Sequence, residues 1–120
     1  MNISAQSTTY SAAGFNGNWS NSSLWSNGFP SSTKDVIVGQ SLLTSSKVNV
    51  DSECRDLTNT ILAQILLINS GITLTVFGDL TLSRFSTFRN DGTLIIHGDV
   101  FDNLGTLNLL TIQVIVTSVI

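Results

Sequence analysis

Short runs of β-branched and aliphatic residues, separated by polar turns, dominate the chain from residue 35 onward. The runs 36–38, 48–50 and 72–76 have the composition of β-strands, and apolar and polar residues alternate over 47–51 and 72–76. The apolar run 64–69 is followed by Ser70 and Gly71, which is typical of a buried strand that ends in a turn. Within 57–68, aliphatic residues also recur at helical spacing, so a helix is the alternative there. The pattern as a whole predicts an all-β protein.

The sequence repeats itself at intervals of about 20 residues. The tetrapeptide Phe77-Gly78-Asp79-Leu80 returns as His97-Gly98-Asp99-Val100, and part of 70–74 returns at 91–94. The N-D-G-T-L sequence at 90–94 is echoed by N-L-G-T-L at 103–107. Repetition at a fixed period is typical of architectures in which each repeat stacks on the next.

This period predicts a small right-handed parallel β-helix, or β-solenoid, with coils of about 20 residues. Each side of a coil would be a short strand, and Gly, Asn or Asp would adopt the left-handed backbone that a sharp corner requires. Successive coils would pair as parallel strands about 4.8 Å apart. The predicted ladders are Leu80 with Val100, Leu74 with Leu94, and Asp79 with Asp99 at a corner. A β-sandwich also has short strands and glycine turns, and it is the alternative fold.

Three regions differ in composition. Residues 1–35 are rich in Ser, Asn and Gly and are predicted to form an N-terminal arm and cap, with turns in preference to regular elements. Residues 36–107 carry the repeats and the predicted solenoid. Residues 108–120 are predicted to form an apolar C-terminal strand, with two strands as the alternative. The run 107–120 is shorter than the about 20 apolar residues that a membrane helix needs. It carries no charge, which favours burial against another copy or a partner.

Charge and cysteine content narrow the function classes. Only 11% of the residues are charged and the net charge is −3. The five basic residues are scattered, so nothing resembles the basic patch of a nucleic-acid-binding protein. A single cysteine, Cys54, excludes an internal disulfide and a cysteine zinc site. We expect Cys54 to be a small buried apolar residue, with an intermolecular bridge or a nucleophile as the alternatives. The N-terminus lacks the basic and apolar regions of a secretory signal.

Residues 19–38 and the repeats both resemble sequences of a known protein family. Two tryptophans, a Gly-x-Pro and an Asp-Val-x-Val resemble the opening of right-handed parallel β-helix modules in bacterial surface and secreted proteins. Related solenoids occur in phage fibres and head decorations. The matching residues are Trp19, Trp25, Gly28, Pro30, Asp35, Val36, Val38, Asn90, Gly92, Thr93, Leu94, Gly105, Thr106 and Leu107. The resemblance implies an architecture and leaves the activity open. Because the sequence starts at Met1 without a leader, we expect a virion protein before a secreted one.

The sequence offers little catalytic chemistry. No nucleophile elbow accompanies His97, which we expect to be a surface or stacked residue. Asp51 and Glu53 are two residues apart and would share one face of a strand, as a glycosidase acid and base could, but we expect a solvated strand end. Stacked carboxylates at Asp79 and Asp99 need either a cation or solvent, and we expect solvent. We therefore assign no catalytic, metal or cofactor-binding residue and no cofactor.

Two groups of residues remain as candidate contact sites. Trp19 and Trp25 lie in an Asn- and Ser-rich segment, where their indoles would either stack on sugar rings or cap one apolar end of the solenoid. Ile112, Val114 and Val116 lie on one face of the C-terminal strand and are candidate oligomer contacts.

These observations favour a non-enzymatic structural surface protein, above all a virion component such as a phage head decoration or fibre. We expect a homo-oligomer, with a trimer favoured, that contacts other virion or cell-surface proteins. Neither nucleic-acid binding nor membrane insertion is expected. A bacterial cell-surface or extracellular adhesin, or a glycan-binding module, is the alternative. A fragment of a polysaccharide lyase or hydrolase comes third.

Overall fold

The computed structural model of the protein describes residues 6–10, 14–38, 44–59, 63–83, 87–102, 106–109 and 113–119. Within these ranges the regular structure is almost entirely β, apart from a 3-10 turn at Ser22–Leu24 that Asn21 caps by accepting from the Ser23 backbone N–H. The strands are β1 (Gln6–Tyr10), β2 (Gly14–Asn18), β3 (Lys34–Val38), β4 (Thr44–Val48), β5 (Ser52–Cys54), β6 (Leu57–Asn59), β7 (Ala63–Ile68), β8 (Thr73–Val76), β9 (Leu80–Leu82), β10 (Thr87–Asn90), β11 (Thr93–Asp102), β12 (Thr106–Leu109) and β13 (Gln113–Val119).

The strands form two sheets, and every pairing between described strands is parallel. The five-stranded sheet has the order β12-β10-β7-β4-β2. The eight-stranded sheet has the order β1-β3-β6-β9-β11-β8-β5, with β13 paired to β11. The all-β class with parallel sheets is therefore confirmed, whereas an antiparallel sandwich does not agree with these pairings.

Both predicted interior ladders are present. Leu80 of β9 pairs with Val100 of β11, and Leu74 of β8 pairs with Leu94 of β11. All four side chains are buried. Strand alternation explains this burial, since every second residue of β8, β9 and β11 points to the same side. From β3 onward, paired residues are separated by 19 to 23 positions in the sequence.

The core consists of aliphatic side chains with a few aromatic and polar ones. Cys54 is among its members, with no exposed surface, so the expectation of a small buried residue is confirmed. The buried ladders run across neighbouring strands and include Val36–Leu57–Leu80–Val100, Cys54–Val76–Ile96, Leu66–Phe88 and Val38–Asn59–Leu82.

Several local predictions need correction. The helical alternative over 57–68 is wrong, because β6 and β7 occupy the described part of that stretch. The predicted strand 48–50 ends at Val48, and the side chain of Val50 is 42% exposed. Residues 1–35 are not simply an irregular arm, since β1 and β2 pair in parallel with β3 and β4. The boundary predicted at residue 107 falls inside β12. Of the one or two strands predicted for the C-terminal run, the structure has two, β12 and β13.

No helix in the described part of the chain has the length and apolar character needed to cross a bilayer.

Candidate functional site

Four aspartates in equivalent positions form what we call the aspartate ladder (Asp35, Asp56, Asp79 and Asp99). Asp35 lies in β3 and Asp99 in β11, whereas Asp56 and Asp79 immediately precede β6 and β9. The backbone N–H of Asp56 donates to Oδ1 of Asp35 at 3.1 Å. The N–H of Asp79 donates to Oδ1 of Asp56 at 2.8 Å, and the N–H of Asp99 donates to Oδ1 of Asp79 at 2.9 Å. Each carboxylate in these three bonds therefore holds the backbone of the next strand.

This arrangement confirms the predicted pairing of Asp79 with Asp99 and adds a hydrogen bond that the sequence did not predict. We expected solvent, or a cation, to compensate the two neighbouring negative charges. In the structure, both residues are partly buried, and Oδ1 of Asp79 accepts a backbone N–H. This hydrogen bond links the Asp79 side chain directly to the backbone of Asp99.

An ion pair terminates the ladder at Asp35. Arg55 binds the Asp35 carboxylate with two hydrogen bonds, Nε to Oδ1 at 2.8 Å and Nη2 to Oδ2 at 2.7 Å. Partial burial raises the pKa of Asp35, but the hydrogen bond from Arg55, the N–H of Asp56 and the positive charge of Arg55 together outweigh it. The pKa of Asp35 is consequently lowered from its ordinary value of 3.8. The same pairing raises the pKa of Arg55.

Glycine precedes two of the ladder aspartates because no side chain fits there. A Cβ added to Gly98 would overlap the carbonyl oxygen of Gly78 and Oδ1 of Asp79. A Cβ added to Gly78 would overlap Oδ1 of Asp56 and approach the carbonyl oxygen of Arg55 to 2.9 Å. The left-handed backbone predicted for these corners is absent at both glycines, whereas Gly71 does have it, with φ of 80°. Close approach of strands therefore explains the repeated Gly-Asp.

Beside the aspartate ladder, two rings stack on the surface. Phe77 and His97 lie with centroids 5.1 Å apart and planes inclined by 3°. Both side chains are exposed. The expectation that His97 is a surface or stacked residue is confirmed, and the pair occupies equivalent positions in the two copies of the tetrapeptide.

The two candidate tryptophans are buried, with exposed fractions of 1% for Trp19 and 6% for Trp25. Their rings meet edge to face at 5.1 Å and 87°. Trp25 Nε1 donates to the Trp19 carbonyl oxygen at 2.9 Å, and Trp19 Nε1 donates to Ser46 Oγ at 3.3 Å. Trp19 directly follows β2, which lies at the edge of the five-stranded sheet. Of the two roles left open by the sequence, burial favours capping, because a buried indole face cannot stack on a sugar.

An open groove of about 460 Å³ lies beside Trp19, and we call it the acidic groove. Its apolar lining comes from Trp19, Phe29, Pro30 and Val50. Phe29 is 49% exposed and Val50 is 42% exposed, although both are large apolar residues. The groove therefore presents apolar surface to solvent immediately beside the buried Trp19.

The polar lining of the acidic groove includes both carboxylates of the candidate acid–base pair. Asp51 and Glu53 are exposed, and Ser20, Ser31 and Ser52 lie with them. Oδ1 of Asp51 accepts the Thr73 backbone N–H at 2.9 Å. The sequence placed Asp51 and Glu53 together but did not single out Phe29. The repeat could have identified Phe29. Val36 pairs with Leu57, and the same separation in sequence places 29–31 beside 50–53.

The C-terminal candidates are only partly described. Ile112 lies outside the described residues. Val114 pairs with Leu94 and Val116 pairs with Ile96, as β13 continues the sheet beyond β11. Val114 and Val116 therefore lie in β13, the strand that pairs with β11.

In the described ranges, no group of three or more His, Cys, Asp or Glu side chains is arranged to hold a metal ion. Comparison with protein-family models, with curated proteins and with solved structures gives no match. The function must therefore be argued from the geometry.

Proposed function

We propose that the chain is a small right-handed β-solenoid that serves as a non-enzymatic structural protein on a surface, above all on a virion. The observation that carries this proposal is the register of the strands: from β3 onward, parallel partners are separated by 19 to 23 residues. One lap of a three-sided coil of short strands needs about that length. Right-handed winding follows the strong preference of parallel crossover connections.

The order in which strands join the sheets supports the coil. The chain runs from β4 in the smaller sheet through β5 and β6 in the larger one, and then returns to the smaller sheet as β7. β7, β8 and β9 repeat this course, and β10 and β11 repeat it again. Each element pairs with its equivalent from the previous course.

A structural role also agrees with what the acidic residues do. Asp35, Asp56 and Asp79 each accept a backbone N–H from the next strand. Such bonds connect successive strands along the stack in addition to the sheet hydrogen bonds. A rigid stack of this kind is suited to display on a surface or to assembly with other copies.

The resemblance covers bacterial surface modules as well as phage fibre and decoration proteins, and of these roles we propose the virion one. Assembly would involve β13, whose seven residues, QVIVTSV, carry no charge and pair with β11. A second copy or a neighbouring virion protein would extend the sheet from this strand, since an apolar strand edge favours pairing. A homotrimer is the assembly we favour.

The fold part of the proposal is tested by cross-linking equivalent positions. Parallel partners are about 4.8 Å apart, which is within the Cα separation that a disulfide spans. In a Cys54→Val background, Thr81→Cys with Phe101→Cys should form an intramolecular disulfide, because these residues pair. Leu67→Cys with Arg89→Cys should do so on the other sheet. Thr75→Cys with Phe101→Cys is the control and should remain reduced. A disulfide in the control pair would contradict the coil. The absence of a disulfide from both test pairs would also contradict it.

The role is tested by purification. A virion protein should copurify with intact particles at a fixed ratio to the capsid protein. An adhesin should instead fractionate with cell envelopes, and a lyase or hydrolase should release reducing ends from polysaccharide. Truncation after Leu107 should convert an oligomer into monomer or insoluble material, and an unchanged assembly would overturn the role of β13.

A further inference from the structure

The acidic groove combines apolar surface with negative charge. Phe29 and Val50 expose nearly half of their side chains, and Asp51 and Glu53 lie in the same lining. Neither carboxylate forms an ion pair with a Lys or Arg in the described part of the chain. Two negative charges in one groove are a substantial local charge for a protein whose net charge is −3. The lining therefore lacks a compensating cation of its own.

The carboxylate oxygens make the acidic groove rich in hydrogen-bond acceptors, although the Ser20 hydroxyl keeps its own O–H as a donor. The hydroxyl of Ser52 donates to the Val50 carbonyl oxygen at 2.8 Å, and the hydroxyl of Ser20 accepts from Asn49 Nδ2 at 2.9 Å. Ionised carboxylates only accept hydrogen bonds, and Oδ1 of Asp51 already accepts one from Thr73. A fitting ligand must therefore supply donors and positive charge, together with an apolar portion.

We propose that the acidic groove binds a lysine or arginine side chain of a partner protein. The methylene groups of that side chain would cover the exposed faces of Phe29 and Val50, and its charged end would lie beside Asp51 and Glu53. Long basic side chains combine an apolar stem with a charged head in this way. A cation close to an aromatic face also gains electrostatic stabilisation.

Other ligand classes fit the groove less well. A neutral apolar ligand would remove water from two carboxylates without replacing their hydrogen bonds. A neutral oligosaccharide could accept the O–H of Ser20, but it would leave the two carboxylate charges uncompensated. Charge complementarity therefore favours the basic side chain. This inference depends on the groove alone and not on the proposed virion role.

The test is titration of the full-length ¹⁵N-labelled protein with small probes. Nα-acetyl-arginine-methylamide and the lysine analogue should shift the amide resonances of 29–31 and 50–53. Nα-acetyl-norleucine-methylamide, which has the stem without the charge, should bind more weakly. Added salt should weaken the charged probes, because exposed charges are screened.

Variants assign the binding to the carboxylates. Asp51→Asn and Glu53→Gln should each weaken binding of the arginine probe about fivefold, the effect of one solvent-exposed charge pair at contact. Asp91→Asn is the matched control, because it removes the same charge from a carboxylate that pairs with Arg89 outside the groove. Phe29→Ala should weaken binding of both basic probes.

Three results would overturn the proposal. Equal binding of the norleucine probe would show that charge is irrelevant. An equal loss in Asp91→Asn would show a diffuse effect of net charge. Shifts in 50–53 with neutral cellohexaose, and none with the basic probes, would assign the groove to carbohydrate. These outcomes are independent of whether the protein copurifies with particles.

Discussion

The backbone N–H of Asp99 donates to the side-chain Oδ1 of Asp79 at 2.9 Å, across a sequence separation of 20 residues. The same relationship joins Asp79 to Asp56 across 23 residues and Asp56 to Asp35 across 21. A side-chain carboxylate thus accepts the backbone N–H of the next aspartate at three successive positions of the ladder. The tetrapeptide repeat in the sequence reflects this bond, since a shorter or apolar side chain could not accept the N–H.

Loss of the acceptor at Asp79 should destabilise the protein. Asp79→Ala leaves the partly buried N–H of Asp99 without its acceptor, and we expect a loss of about 1–3 kcal/mol in the free energy of unfolding. Asp79→Asn keeps an oxygen at the same position and should cost less. Urea unfolding followed by circular dichroism measures both. Asp91→Ala is the control, because it breaks only an exposed ion pair with Arg89 and should cost at most about 1 kcal/mol. Equal effects of Asp79→Ala and Asp91→Ala would contradict the structural role.

Gly98 should tolerate no side chain. A Cβ at this position would overlap the backbone oxygen of Gly78, so Gly98→Ala requires β11 to move away from the bend at Gly78. We expect a loss of about 2–3 kcal/mol, as for an overpacked interior site. Gly71→Ala is the comparison, because a Cβ there meets nothing within 4 Å and the cost of about 1 kcal/mol comes from its φ of 80°. A larger loss for Gly71→Ala than for Gly98→Ala would show that backbone conformation, and not close approach, selects these glycines.

The ladders could be predicted because the repeat is visible in the residues themselves. Once Leu80 and Val100 are placed in equivalent positions, the period of two along a strand determines which neighbours are buried. The same reasoning paired Asp79 with Asp99. This reasoning could not predict the hydrogen bond between them, because the acceptor is the Asp79 side chain and the donor is the Asp99 backbone.

The predictions that were wrong or missing share a physical cause. Val50 continues the alternation of β4 but lies after its end, where the chain turns, so local periodicity alone cannot show that it is exposed. The polar composition of β1 and β2 hid two strands, because strands at a sheet edge need less apolar surface than central ones. The acidic groove was missed because Phe29 and Val50 come together only through pairing at long sequence separation.

Acid should weaken the protein through Asp35. Its folded-state pKa is lowered from the ordinary 3.8, so its contribution to stability is fully present above that value and is lost as the pH falls through the folded pKa. Asp35→Asn cannot change charge. The difference in unfolding free energy between the parent protein and this variant should therefore shrink as the pH falls from 5 toward 2. Urea unfolding across this range gives the difference. A constant difference would contradict the lowered pKa, and Arg55→Gln should reduce the pH dependence, because it removes the main hydrogen-bond partner.

Cys54 should be chemically silent in the folded protein. Its side chain has no exposed surface, and burial, reinforced by the negative charges of Asp56 and Asp35, raises its pKa strongly. Since the thiolate is the reactive form, a chromogenic disulfide reagent at pH 8 should modify Cys54 at least about a hundredfold more slowly than in concentrated urea. The matched control is Glu53→Cys in a Cys54→Val background, which places a thiol at the exposed neighbouring position. Comparable modification rates for the folded parent protein and the folded control variant would show that the strand carrying Cys54 opens readily. The buried ladder of Cys54, Val76 and Ile96 would then not be a stable part of the core.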